Sequence, residues 1–159
     1  MAREIERKFL LPSLPADRLQ GPGERIEQGY VAIDATAEVR VRRRGRQSTL
    51  TVKSAPARTR IEEEIEIDEA RFASLWELTA GRRVVKTRYL LEHGGATIEI
   101  DEYHDALSGL VTAEVEFPTE PASDAFDPPP WLGQEITGDR RYANQTLATG
   151  GEAPPPPAR

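Results

Sequence analysis

Glu4-Ile5-Glu6-Arg7-Lys8-Phe9-Leu10, near the start of the chain, poses the question on which the fold turns. Glu4, Glu6 and Lys8 occupy every second position, with Ile5 and Phe9 between them. Side chains on a strand alternate between faces, so the three charges share one face and the two apolar residues share the other. The polar face of such a strand usually meets water. The other strands decide whether it does so here.

The same alternation recurs down the chain. Arg40 and Arg42 alternate with Val39 and Val41, and Thr49, Thr51 and Lys53 with Leu50 and Val52. Arg60, Glu62, Glu64 and Glu66 stand opposite Ile61, Ile65 and Ile67. Lys86 and Arg88 oppose Val85 and Tyr89; Glu99 and Asp101 oppose Ile98 and Ile100; Glu114 and Glu116 oppose Val115 and Phe117. Strands are predicted over 3–11, 25–33, 37–44, 48–54, 59–67, 83–92, 96–103 and 110–117. Gly45-Arg46 and Gly94-Gly95 read as tight turns. Asp68 is expected to cap a helix over EARFASLWELT, residues 119–127 to form a short helix, and Asp139 to cap a last helix over RRYANQTLA. The predicted fold class is α+β, an eight-stranded antiparallel closed β-barrel with helices packed outside. One domain is expected over 1–150, followed by a disordered Pro-rich tail, 151–159, with no core to join.

Two arrangements satisfy the pattern. The apolar faces form a core and the charges are solvated, or the sheet closes with the charges inside and helices cover its apolar exterior. The first is commoner for any single strand. The distribution of charge favours the second, because the ionic faces carry few Thr and almost no Ser, Asn or Gln, and their signs are segregated strand by strand. A lumen that holds a polyanion together with metal cations needs such segregation, and a wet surface does not.

The bulk composition narrows the functional classes. Of 159 residues, 30% are charged, above the ordinary level of about 25%, yet the formal net charge is -6. An acidic chain is a poor nucleic-acid binder, since phosphate contacts need a basic surface. The absence of cysteine excludes a disulfide scaffold, a thiolate zinc site and a cysteine nucleophile. No apolar leader stands at the N-terminus and no run of about 18 apolar residues exists, so a cytoplasmic, membrane-free protein is expected. A transmembrane barrel is rejected because aromatics are only 6%, no aromatic girdles appear and helices interrupt the strands.

The ordered set of motifs resembles the CYTH superfamily, the triphosphate tunnel metalloenzymes. It comprises the E-x-E-x-K of Glu4, Glu6 and Lys8, then RVRRR, TLTVK, RIEEEIE, KTRY, EIDEY, AEVEF and TGDRRYAN. Within that family, AGRRVVKTRY and the PPPW ending are most similar to the short bacterial inorganic triphosphatases. The resemblance implies an eight-stranded tunnel that hydrolyses inorganic tripolyphosphate to pyrophosphate and phosphate, with two Mg2+ or Mn2+ ions as cofactors. It implies a substrate clamp of Arg40, Arg42, Lys53, Lys86 and Arg88, with Lys8 also binding substrate beside the metal site, because Arg and Lys donate to phosphate oxygens. Glu4, Glu6, Asp101, Glu114 and Glu116 are the implied metal ligands, since hard divalent cations take oxygen donors. Glu62 and Glu64 are expected to hold the clamp's side chains. Lys8, Glu6 and Tyr30 are the catalytic candidates, and Tyr30 reads equally well as a packed strand aromatic. Crowded carboxylates imply activity that falls in mild acid.

Other readings remain at this level: a thiamine triphosphatase or adenylate cyclase of the same fold, a polyphosphate- or nucleotide-binding module without turnover, or an acidic β-domain with solvated charges. A homodimer is compatible with the sequence. Phe72, Trp76 and Trp131 read as packing residues, and His93 and His104 as solvated. Arg140 and Arg141 either cover the tunnel mouth or begin a solvated helix.

Overall fold

The computed structural model describes residues 5–55 and 61–156. Among the described residues, nine strands form one antiparallel sheet: β1 (Ile5–Leu10), β2 (Glu24–Ile33), β3 (Ala37–Arg44), β4 (Gln47–Ser54), β5 (Glu62–Ile67), β6 (Arg83–His93), β7 (Ala96–Tyr103), β8 (Val111–Phe117) and β9 (Gln134–Glu135). Their spatial order is β5-β4-β3-β2-β6-β7-β8-β1-β9. The described residues also form three α-helices: α1 (Glu69–Glu77), α2 (Glu120–Ala125) and α3 (Asn144–Gly150). The turns follow from local chemistry. Gly94 and Gly95 both hold positive φ, which a two-residue hairpin needs to match the strand twist. The Asp68 carboxylate accepts from the Arg71 amide at 2.7 Å and starts α1.

The expected closed eight-stranded barrel is corrected by this order. Among the described residues β5 and β9 are the two edges of an open sheet. The free edge of β1 is occupied by the C-terminal segment. β9 pairs with Phe9 and Leu10, the Ile136 amide donates to the Lys8 carbonyl at 2.8 Å, and the Thr137 hydroxyl accepts from the Lys8 amide at 3.0 Å. β1 therefore has no need of β5. Glu62 to Glu66, all exposed, make β5 an acidic edge that resists pairing. The last predicted helix divides into a 3-10 turn at Arg140–Tyr142 and α3.

Each face of the sheet carries its own cluster. The outer faces of β1, β6, β7 and β8 bury Phe9, Leu91, Ile98, Ile100, Val115 and Phe117, with Leu132, Phe126 and Trp131 packed on them. Each such burial stabilises the fold by roughly 1.5–3 kcal/mol. α1 covers β3 with Phe72, which stacks on Trp76 and lies under the Arg43 guanidinium. The expected cover is incomplete beyond that point: Ile65 is 57% and Val52 37% exposed, because α1 reaches no further along the outer face. The inner face ends in an aromatic floor of Tyr30, Tyr103 and Tyr142 with Val84, Leu107 and Leu147. Tyr142 donates its hydroxyl to the Pro155 carbonyl at 3.1 Å, and Pro154 and Pro156 lie with Leu10 and Leu110. Residues 157–159 are outside the described residues. No described helix is long and apolar enough to cross a membrane.

Gly29 on β2 marks a close approach. A β-carbon there would lie 2.6 Å from the Thr79 side chain. Thr79 is fully buried, donates to the Trp76 carbonyl at 2.7 Å and accepts from Arg83 Nε at 2.9 Å, so it cannot swing aside. Gly29→Val is expected to destabilise the protein by about 1–3 kcal/mol, measured by urea unfolding.

Candidate active site

Register gathers polar and charged residues of eight strands on one face. Arg40 and Arg42 of β3 stand opposite Tyr30 and Gln28 of β2, and opposite Thr51 and Thr49 of β4. Lys53 stands opposite Glu62, and Thr51 opposite Glu64. Lys86 and Arg88 of β6 face Tyr103 and Asp101 of β7. Glu99 of β7 faces Glu114 of β8, and Glu116 and Glu114 of β8 face Glu6 and Lys8 of β1. Lys86 and Asp101 on this face, the inner one, are each only 3% exposed. Glu4 and Arg60 lie outside the described residues.

Cations dominate one half. Burial disfavours the charge of Arg42, and Arg40 beside it disfavours that charge further, with Glu64 opposing. Arg40 Nε is buried without a hydrogen-bond partner. A buried unpaired guanidinium N–H is costly, and an anion oxygen would satisfy it. Of the two carboxylates expected to steady the clamp, Glu62 lies 3.6 Å from Lys53 Nζ and Glu64 accepts from the Thr51 hydroxyl at 3.1 Å.

Carboxylates dominate the other half. Glu6, Thr97, Glu99, Glu114 and Glu116 line a cleft of about 460 Å³. Glu6 and Glu116 are directly opposed, as are Glu99 and Glu114, and like charges so placed repel. Among the described residues, no three His, Asp or Glu side chains converge closely enough to hold an ion between them. Lys8 Nζ lies 3.2 Å from Glu114 and donates to the Tyr142 carbonyl at 2.7 Å. Arg140 shares a smaller cleft with Glu6 and Lys8, while Arg141 turns back to Asp139.

Asp101 joins the halves. Arg88 binds both its oxygens at 2.8 Å, Lys86 Nζ donates to it at 2.7 Å, and a second arm of Arg88 reaches Glu99 at 2.9 Å. Both oxygens of this expected metal ligand are thus engaged by clamp cations. Burial alone would raise its carboxyl, but Lys86 and Arg88 hold it down at about 2. Burial works against the Arg88 charge too, and Asp101 more than restores it. Burial, and then the charge of Asp101, push the Tyr103 hydroxyl up to about 12, so it acts as a donor.

Tyr30 is 2% exposed in the aromatic floor, accepts from Gln28 Nε2 at 3.2 Å and has its hydroxyl raised by burial. His104 binds the Thr87 hydroxyl at 2.7 Å, away from the charged face. Sequence reasoning missed Asn144, whose amide oxygen accepts from Lys86 and Tyr103. It also missed Glu99 as a partner of Arg88, although the alternation already placed it on the ionic face.

The Asp101 carboxyl is lower in the folded protein than the ordinary value near 3.8, so its contribution is complete above about pH 4 and is lost as pH falls towards 2. Asp101→Asn is expected to destabilise the protein at neutral pH by about 3–5 kcal/mol, because the buried Lys86 loses its counter-charge and the half-buried Arg88 keeps only Glu99. The gap between wild-type and variant stabilities should narrow by about 2 kcal/mol between pH 5 and pH 2, read from urea titrations at each pH.

Comparison with known proteins identifies the family. The model of the CYTH domain matches residues 2–146. The chain is 44% identical to an inorganic triphosphatase of Nitrosomonas europaea over 91% of its own length and 96% of that protein's. It is 38% identical to an inorganic triphosphatase of Acetivibrio thermocellus, covering 92% and 94% of the two chains. The crystal structure of the inorganic triphosphatase NE1496 superposes with a TM-score of 0.77 at 42% identity, covering 94% of this chain and 96% of that one. A sheet with this charged inner face, matched over nearly all its length, makes the chain a member of the CYTH domain family.

Proposed function

We propose that the protein hydrolyses inorganic tripolyphosphate to pyrophosphate and phosphate on the inner face of its sheet. The observation that carries this reading is the sorting of charge across that face. Crowded cations on β3, β4 and β6 include a buried guanidinium N–H without a partner, and opposed carboxylates lie on β7, β8 and β1. The inorganic triphosphatases to which the chain is 44% and 38% identical support it.

The residues divide the work by charge. Arg40, Arg42, Lys53, Lys86 and Arg88 bind phosphate oxygens, and an incoming polyanion relieves the repulsion between Arg40 and Arg42. Glu6, Glu114 and Glu116 are oxygen donors of the kind Mg2+ and Mn2+ take, and their mutual opposition suits a cation between them. Glu4 belongs with them in this reading, and two ions are assigned to the set. Such ions supply Lewis-acid neutralisation of phosphate charge and a more acidic water. Asp101, whose two oxygens are held by Lys86 and Arg88, would serve an ion only if phosphate took those cations from it. Lys8, between Glu114 and the Tyr142 carbonyl, holds its ammonium within the carboxylate half. Glu62 and Glu64 orient Lys53 and Thr51 at the far edge. Tyr30 packs beneath Arg40 and supports the cationic strip. Catalysis then rests on positioning and charge, with no covalent enzyme intermediate. The compartment assigned is the cytoplasm, and a homodimer is compatible with the reading.

Phosphate release from tripolyphosphate, ATP and thiamine triphosphate, each with Mg2+, Mn2+ or EDTA, tests this reading. Turnover of tripolyphosphate that EDTA abolishes is expected; preference for an organic triphosphate would change the substrate, and turnover of none would overturn the reading. Arg42→Gln is expected to lower kcat/KM about 10²-fold or more while leaving Tm unchanged or raised, because it removes a clamp donor and a repulsion together. Activity should fall in mild acid because divalent-metal binding competes with protons, and a flat pH profile would contradict the metal assignment.

A further inference from the structure

We propose that Asn144 is a positioning residue that sets the place of Lys86 in the clamp, an inference that rests on the triphosphatase reading. Lys86 is 3% exposed and carries three protons that need acceptors. Asp101 Oδ2 takes one at 2.7 Å, and the Tyr103 ring lies 5.4 Å from the ammonium. Asn144 Oδ1, 3.5 Å away, is the next acceptor. Asp101 is shared with Arg88, so a carboxylate drawn towards Arg88 leaves Asn144 to steady the lysine. The Tyr103 hydroxyl donates to the same amide oxygen at 3.3 Å, so two donors orient the amide.

The local context points the same way. Asparagine at a helix start ordinarily caps its own helix. α3 instead has Ala143 at its cap position, with no side-chain cap, while the Asn144 oxygen reaches across to β6 and β7. Two residues earlier, the Tyr142 carbonyl accepts from Lys8 at 2.7 Å. One short segment thus provides a neutral acceptor to each of two inner-face lysines. A neutral acceptor places an ammonium without cancelling its charge, which leaves that charge for phosphate.

A double-mutant cycle on tripolyphosphate hydrolysis tests this. Asn144→Ala is expected to lower kcat/KM about tenfold, chiefly through KM, and to have no further effect in a Lys86→Ala background. Asn144→Asp, which keeps the shape and the oxygen but adds a competing charge, is expected to raise KM as well. Wild-type kinetics in Asn144→Ala, or the same tenfold loss with and without Lys86, would overturn the proposal. Should Asn144→Ala fail to fold, a wild-type KM in Asn144→Asp would overturn it. Absence of turnover by the wild type would instead fail the triphosphatase reading, and the role of Asn144 with it.

Discussion

The buried bridge of Lys86, Asp101 and Arg88 is the interaction on which the inner face depends. Two cations share one carboxylate, both oxygens of which are engaged. Bringing such charges out of water is expensive, and their mutual attraction recovers the cost only when hydrogen bonds are complete. Tyr103 and Asn144 extend that network to the aromatic floor. One carboxylate balances only one of the two cations, although Glu99 also reaches Arg88. With Arg40 and Arg42 added on β3, this side of the face keeps an excess of positive charge suited to a polyanion.

A sheet can commit one face to charge only if another surface supplies cohesion. Here the outer cluster around Phe9, Ile98, Ile100 and Val115 does so on β1, β6, β7 and β8, and α1 with Phe72 does so on β3. The C-terminal segment then performs three tasks in succession. Gln134 to Thr137 occupy the edge of β1, Tyr142 and Asn144 hold the two lysines, and Leu147 closes the aromatic floor. Because the β1 edge is already satisfied, the sheet stays open on the side of β5.

By itself the sequence determined the strands, their two-residue period and the charge carried by each. Period-two alternation is local geometry, so Glu6 with Lys8, Arg40 with Arg42, and Lys86 with Arg88 were assigned to common faces without coordinates. Asp68 at the start of α1 and the glycine pair between β6 and β7 were equally local in cause. Tertiary structure alone decided what was long-range. Alternation sorts residues onto a face but does not say which strands adjoin, so the engagement of Asp101 by Lys86 and Arg88 appeared only with the register of β6 against β7. The edge taken by β9 and the reach of Asn144 from α3 to β6 each join residues far apart in the chain. No local propensity encodes such contacts, because each exists only after the elements have packed.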